Sequence, residues 1–237
     1  MTVTLDEVMA KLEAMGTEQT KKTFLRHGAQ EPLFGVKIGD LKRLVKEVKK
    51  DQQLARALFD TGNSDAMYLA GLTVDPSAMT KELLQSWAQK AHWHMIVECT
   101  VAGVAAESPY ALELAREWMA SSEEMIATCG WSTYLHYISI TPDMKLDNEE
   151  LRRMLAIVES TVHQERNRVR YAMNQFVIVV GSYVLALHDE AMRVAEAIGK
   201  VNVNMGETAC KVPEAAAYIR KVEAAGKLGA KRKTCIC

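Results

Sequence analysis

The segment LLQSWAQKA, residues 83–91, places Leu83 four positions before Trp87. On a helix, residues four apart share a face, so the pair marks an apolar stripe. The same spacing occurs upstream in LARALFDTG (54–62), with Leu54 and Leu58, and downstream in LAREWMASS (114–122), with Leu114 and Trp118. A fourth copy, LRRMLAIVE, carries Leu151 and Leu155. Successive leucines stand 29, 31 and 37 residues apart. That is room for one antiparallel helix pair each, although shorter than the HEAT period of about 40 residues. A single pair cannot bury its apolar face alone and must stack on its neighbours. The spacing therefore predicts an all-α chain whose natural architecture is a curved solenoid (superhelix) of antiparallel helix pairs, and the length allows one large domain or two small ones. A compact irregular bundle is the competing reading.

Helix punctuation agrees. Thr4 and Glu7 make a capping box ahead of Leu5, Val8, Met9, Leu12 and Met15, which lie on one face. Ser121 with Glu124 and Asp147 with Glu150 offer further N-caps, and Pro109 and Pro213 suit a first helical turn. Gly28, Gly62 and Gly226 follow apolar-periodic runs as C-terminal stops. About a dozen helices result.

With 49% hydrophobic and 25% charged residues, the chain has an ordinary globular composition. No apolar run reaches the roughly 18 residues of a membrane span, and the polar N-terminus lacks the pattern of a secretory signal. A cytoplasmic protein is expected. Five cysteines, mostly far apart, argue against a disulfide framework, and none of them clusters with a second pair as a zinc site requires. No cofactor or metal is expected. The ending KRKTCIC is similar to a doubly prenylated tail, but Thr234 stands where a prenylation box needs cysteine.

The net charge of −1 conceals an uneven distribution. Residues 21–50 carry +6, including Lys46, Lys49 and Lys50, and residues 200–237 carry +5. A protein so divided can present basic faces to a polyanion while staying near neutral. Solvated helix faces are the plainer alternative.

No phosphate-binding glycine loop, HExxH helix or nucleophile elbow is present. One acid stands out. Glu98 interrupts the apolar run of AHWHMIVECTVAGVAA, residues 91–106, where burying an unpaired charge is costly. On a regular helix His94 reaches Glu98 from the same face, with Trp93 beside it. An acid held by an imidazole next to a tryptophan can stabilise a developing cation or orient water. An acid satisfied by an interior partner is the alternative. In HQERNRVRYAMNQFVIVVGSYV, residues 163–184, Arg166, Arg168 and Arg170 are too closely spaced to share one face, whereas Arg170, Tyr171 and Asn174 make a patch suited to phosphate or base contacts. Near the C-terminus, Gly206, Thr208 and Lys211 precede a helix start at Pro213, an arrangement able to hold a phosphate. Lys231, Arg232 and Lys233 complete the basic candidates.

GVKIGDLKRLVKEVKK, LFDTGNSDAMYLAGLTVDP and the closing CKVPEAAAYIRKV with KRKTCIC resemble the DNA alkylation repair family of AlkD-like HEAT-repeat proteins, over nearly the whole chain. That resemblance implies a single domain of HEAT-like repeats over residues 1–237, and a monofunctional glycosylase releasing cationic N3- or N7-alkylated purines from duplex DNA, without metal and without flipping the base into a pocket. The family's active helix reads SWWDxVD. HWHMIVE matches it with Trp93 and His94 in the tryptophan places and Glu98 as the final acid, which would stabilise an oxocarbenium-like sugar. Two departures stand beside the match. The family's catalytic arginine falls in SSEEMIATCGWSTYL, where Thr128 or a neighbour stands instead, and its third tryptophan falls in AMNQ, at Asn174 or Gln175. The aromatic cage for a cationic nucleoside is thereby reduced. The sequence thus points to a monomeric protein acting on duplex DNA, with Glu98 as stabiliser and Trp93 and His94 on the lesion side. Arg168, Arg170, Tyr171, Asn174, Lys211, Lys231, Arg232 and Lys233 are the expected DNA contacts. The runner-up is a non-catalytic solenoid that binds DNA or a protein partner.

Overall fold

A computed structural model describes residues 3–49 and 51–236. Lys50 and Cys237 lie outside the described residues. The chain is all-α, and no strand occurs among the described residues. It forms two compact units. The first runs to Tyr110 and includes Gly206–Thr208 and Ile236; the second comprises Ala111–Met205 and Ala209–Cys235.

The first unit contains α1 (Leu5–Met15), α2 (Glu18–Arg26), α3 (Ile38–Val48), α4 (Gln52–Asp60), α5 (Ser64–Thr73), α6 (Lys81–Lys90) and α7 (Ala102–Glu107). Thr4 and Glu7 form the expected capping box at α1, with the Thr4 N–H donating to the Glu7 carboxylate at 2.8 Å. Asp51, Asn63 and Thr80 cap α4, α5 and α6 by the same chemistry, their side-chain oxygens accepting first-turn amides. Gly28 and Gly62 follow α2 and α4 with φ of 84° and 71°, as a C-terminal stop requires.

The second unit contains α8 (Ala111–Met119), α9 (Glu124–Ile140), α10 (Asn148–Thr161), α11 (Asn167–Tyr183), α12 (His188–Ile198) and α13 (Ala215–Ala224). Asp147 caps α10 as expected, accepting from the Glu150 amide at 3.0 Å. The α9 start differs from expectation. Ser121 accepts from the Glu123 amide instead, a local turn, and the helix begins at Glu124. No single helix among the described residues is long and apolar enough to cross a membrane; α11 and α12 together pass by length and composition, but a 114° bend separates them.

The leucine motif marks the opening helix of each pair: α4 before α5, α6 before α7, α8 before α9, and α10 before α11. Leu54, Leu58, Leu114, Trp118, Leu151 and Leu155 are buried as the stripe requires. In α6 the pattern slips by one, so that Leu84 rather than Leu83 is fully buried alongside Trp87. Trp87 also stacks on Phe59 of α4, ring centroids 3.9 Å apart and planes within 3°, which fastens one pair to the next. The second helices α5 and α9 are buried over most of their surface, so the opening helices are left to face solvent.

On α8, α10, α12 and α13 those solvent faces carry a ladder of ion pairs. Arg116 of α8 is bidentate to Glu150 of α10 at 2.7 Å, Arg193 of α12 is bidentate to Glu159 of α10 at 2.7 and 2.9 Å, and Arg220 of α13 pairs with Glu196 of α12. Tyr134 of α9 adds a hydrogen bond to Glu150 at 2.8 Å. The Arg116 guanidinium, helped by the tyrosine hydroxyl and opposed by burial, holds the Glu150 carboxyl below its ordinary value of 4.5.

Candidate nucleic-acid interface

In the first unit Glu98 lies on a π-turn, Ile96–Val101, that leads into α7. The Ala102 amide reaches back five residues to the Val97 carbonyl, so the helix carries one residue more than a regular turn. Such a turn rotates the downstream helix relative to the upstream segment, and it recurs at functional sites. The extra residue falls between Val97 and Ala102, while upstream the Val97 amide still donates to the Trp93 carbonyl at 3.0 Å, as in a regular helix. Glu98 and His94 are both half-buried, at the edge of the interior rather than within it. Opposite the turn α5 comes close: a Cβ on Gly71 would collide with the Thr100 side chain. Only a hydrogen at residue 71 lets the two helices meet there.

Trp93 is sealed, at 3% exposure. Its indole N–H donates to the His27 carbonyl at 2.8 Å and its ring leans on Phe24, centroids 5.1 Å apart. His94 meets the Trp93 ring edge-on at 6.0 Å. Behind Trp93 lies a cavity of about 30 Å³, bordered by Gln30, Glu31, Ser64, Met67 and His92. That space suits a water and not a nucleobase. Trp93 thus fastens the end of α2 to the segment preceding the π-turn. In the segment where the family's arginine was expected, at Thr128 or a neighbour, Thr128 is fully buried and its hydroxyl donates to the Glu124 carbonyl at 2.8 Å.

In the second unit the three closely spaced arginines have three different fates at the start of α11. Arg166 is a strut, donating to the Ser121 and Ser122 carbonyls at 3.0 and 2.6 Å. Arg168 lays its guanidinium over the Tyr171 ring at 4.1 Å, while its backbone amide donates to Glu124 at 2.5 Å. Asn167 exchanges two hydrogen bonds with the Asn204 backbone, at 3.0 and 2.7 Å, and so fixes the neighbouring loop. Arg170 is half-buried, no carboxylate pairs with it among the described residues, and its Nε is buried without a partner. A half-buried cation with no carboxylate beside it is costly unless an anion balances it.

Asn174, one turn further, is fully buried, and its amide donates to the Pro213 carbonyl at 2.9 Å. It anchors the approach to α13 and does not reach solvent, which removes it from the set of surface contacts. Lys231 is also committed inside the fold. It donates to the Ile138 carbonyl at 3.0 Å and pairs with Asp143 at 2.8 Å. Lys211, Arg232 and Lys233 are exposed, and Tyr171 is half-buried under Arg168. The surface candidates that remain in the second unit are Arg168, Arg170, Tyr171, Lys211, Arg232 and Lys233. Among the described residues no group of His, Cys, Asp and Glu could hold a metal ion.

Sequence reading missed Asp65. This carboxylate is 2% exposed and accepts the Phe34, Gly35 and Val36 amides at 2.6, 3.0 and 2.8 Å. It fixes the loop between α2 and α3. Nothing near it in sequence signals that role, because its partners are about 30 residues away.

A sequence model of the DNA alkylation repair enzymes matches residues 8–219. The chain belongs to the DNA alkylation repair enzyme family. An uncharacterised protein of Listeria monocytogenes is 36% identical over 225 residues, which cover 92% of this chain and 97% of that protein. A Listeria innocua protein is 35% identical over the same extents. A solved structure reported for "a new family of proteins related to the HEAT-like repeat DNA glycosylases with affinity for branched DNA structures" superposes with a TM-score of 0.92 at 36% identity, covering 99% of this chain and all of that one. The alkylation repair fold expected from GVKIGDLKRLVKEVKK and its companion segments is thereby established.

Proposed function

We propose that this alkylation repair family member is a binder of branched DNA that takes phosphates at the start of α11. Arg170 carries the reading. It is a half-buried guanidinium with an idle Nε and no carboxylate partner among the described residues, while Arg116, Arg193 and Arg220 are all spent on glutamates. A phosphate meeting the accessible part of this side chain balances its charge. Arg168, preorganised on Tyr171, and exposed Lys211 extend the basic surface. The relative that superposes at 36% identity has affinity for branched DNA, which supports the choice of ligand.

A second reading, excision of cationic N3- or N7-alkylpurines, is favoured by one observation: Glu98 sits half-exposed on a π-turn. Release of a base that already carries positive charge needs little general acid, and a carboxylate that stabilises the sugar cation is sufficient in principle. Against it stand the sealed Trp93 ring, the absence of an arginine from SSEEMIATCGWSTYL, where Thr128 or a neighbour is expected in its place, and Asn174 or Gln175 where an aromatic wall is expected.

Fluorescence anisotropy on a four-way junction and on a linear duplex of equal length decides the first reading. Tighter junction binding that weakens steeply with salt is expected, because phosphate neutralisation releases counterions. Equal, salt-independent binding overturns it. For the second reading, methylated duplex is incubated with the wild type and with Glu98→Gln. Free alkylpurine from the wild type alone establishes excision, and none from either removes it.

A further inference from the structure

We infer that Met144 and Leu185 form an apolar wedge, fringed by Lys145, Arg232 and Lys233, that inserts against the exposed base faces at the centre of a branched DNA. The inference rests on the branched-DNA reading and adds to it the element that tells a branch from a duplex.

Met144 is 90% exposed and Leu185 59%, the two highest values among the exposed large hydrophobic residues of the described chain. The segments that carry them meet, since the Leu185 amide donates to the carboxylate of Asp143, the residue before Met144, at 3.3 Å. The platform beneath them is tied down from several sides. Met144 stands at the middle of a one-turn 3₁₀ helix, Asp143–Lys145, closed by the Lys145 and Leu146 amides on the Pro142 and Asp143 carbonyls at 2.9 and 3.0 Å. Lys231 ties that turn to the end of α9 by bonding both Asp143 and the Ile138 carbonyl. The next residue, Arg232, donates its amide to the Ser139 carbonyl at 2.8 Å, and the Gly229 amide donates to the Ser182 carbonyl at 2.9 Å. The C-terminal segment is thereby laid across the ends of α9 and α11. An apolar knob held this rigidly loses little freedom on binding.

Charge selects the partner. Asp143 is neutralised by Lys231, while Lys145 and Lys233 are exposed and no carboxylate pairs with either among the described residues. Arg232 is exposed beside them. An apolar tip within a cationic rim matches a ligand that has apolar faces inside an anionic rim. Nucleic acid has that arrangement, and its base faces become accessible where stacking is interrupted. Methionine and leucine are among the side chains that wedge between base steps, and the unstacking they require in an intact duplex is already met at a branch. Methionine's flexible thioether adapts to whichever bases border the opening.

The test uses the full chain and a four-way junction with 2-aminopurine at the branch point, beside a linear duplex. Met144→Ser and Leu185→Ser leave the fold intact because both side chains lie outside the core, and Met144→Leu is the conservative control. The wild type is expected to change 2-aminopurine fluorescence on binding. Met144→Ser is expected to lose about tenfold in junction affinity, as when an apolar anchor is cut from an interface centre, with duplex affinity unchanged and Met144→Leu close to wild type. Wild-type junction affinity and fluorescence in Met144→Ser overturn the wedge while the branched-DNA reading stands. Equal loss on both DNAs overturns it as a branch reader. If the wild type itself prefers no junction, the underlying reading fails. A dimer in sedimentation that Met144→Ser converts to monomer overturns the wedge and assigns the patch to self-association.

Discussion

A carboxylate held out of water survives only where donors converge on it, and Asp65 is such a case. Three amides from the loop before α3 share its two oxygens. Asp65→Ala is expected to destabilise the protein by about 3 kcal/mol, since charge-assisted bonds are lost and buried amides are orphaned. Urea unfolding checks this, and Asp65→Asn should cost less because one oxygen remains. At Arg170 the logic is inverted: the cation lacks its partner in the free protein. Arg170→Ala is expected to weaken DNA binding on every sequence and to lower the magnitude of the salt slope by about one phosphate. Arg116→Ala, whose guanidinium already belongs to Glu150, should leave the slope unchanged.

At the scale of elements, the repeat was written in the leucine spacing because each opening helix must bury one stripe against its neighbours. The slip in α6 was not legible, since adjacent leucines at 83 and 84 satisfy the spacing equally well and only packing chooses between them. Nor was the π-turn: one extra residue in a turn leaves the apolar composition of IVECTV unchanged, yet it turns the helix that follows. Gly71→Ala is expected to displace the turn and destabilise the protein by about 1–3 kcal/mol, the usual cost of overpacking. The Glu150 cluster predicts a pH effect. Its carboxyl titrates lower in the folded chain than in the unfolded one, so its stabilisation is complete above the ordinary value of 4.5 and is lost as pH falls through the depressed folded value. Glu150→Gln should lower the melting temperature at neutral pH and flatten its decline in acid, as thermal scans will show.

For the whole molecule, family and fold class were legible early, because helix pairing, caps and the basic segments all bear on one architecture. The candidate site was legible in part. Residue type and spacing nominated Asn174 and Lys231 alongside Arg168 and Arg170, but one-dimensional reading cannot distinguish a polar side chain that anchors a carbonyl from one that faces solvent. Pro213 lies 39 residues from Asn174, and Ile138 lies 93 from Lys231. Conversely, nothing in the sequence around Met144 signals a role, and only its exposure on a braced turn gives it one. The central claim is that the second unit's surface cations, Arg170 foremost, bind DNA at branches. The most direct measurement is the ratio of four-way-junction to linear-duplex affinity at one fixed salt concentration. A ratio well above one, with affinity that falls in Arg170→Ala for both DNAs and in Met144→Ser for the junction alone, is the predicted result; a ratio of one that neither substitution alters contradicts the account.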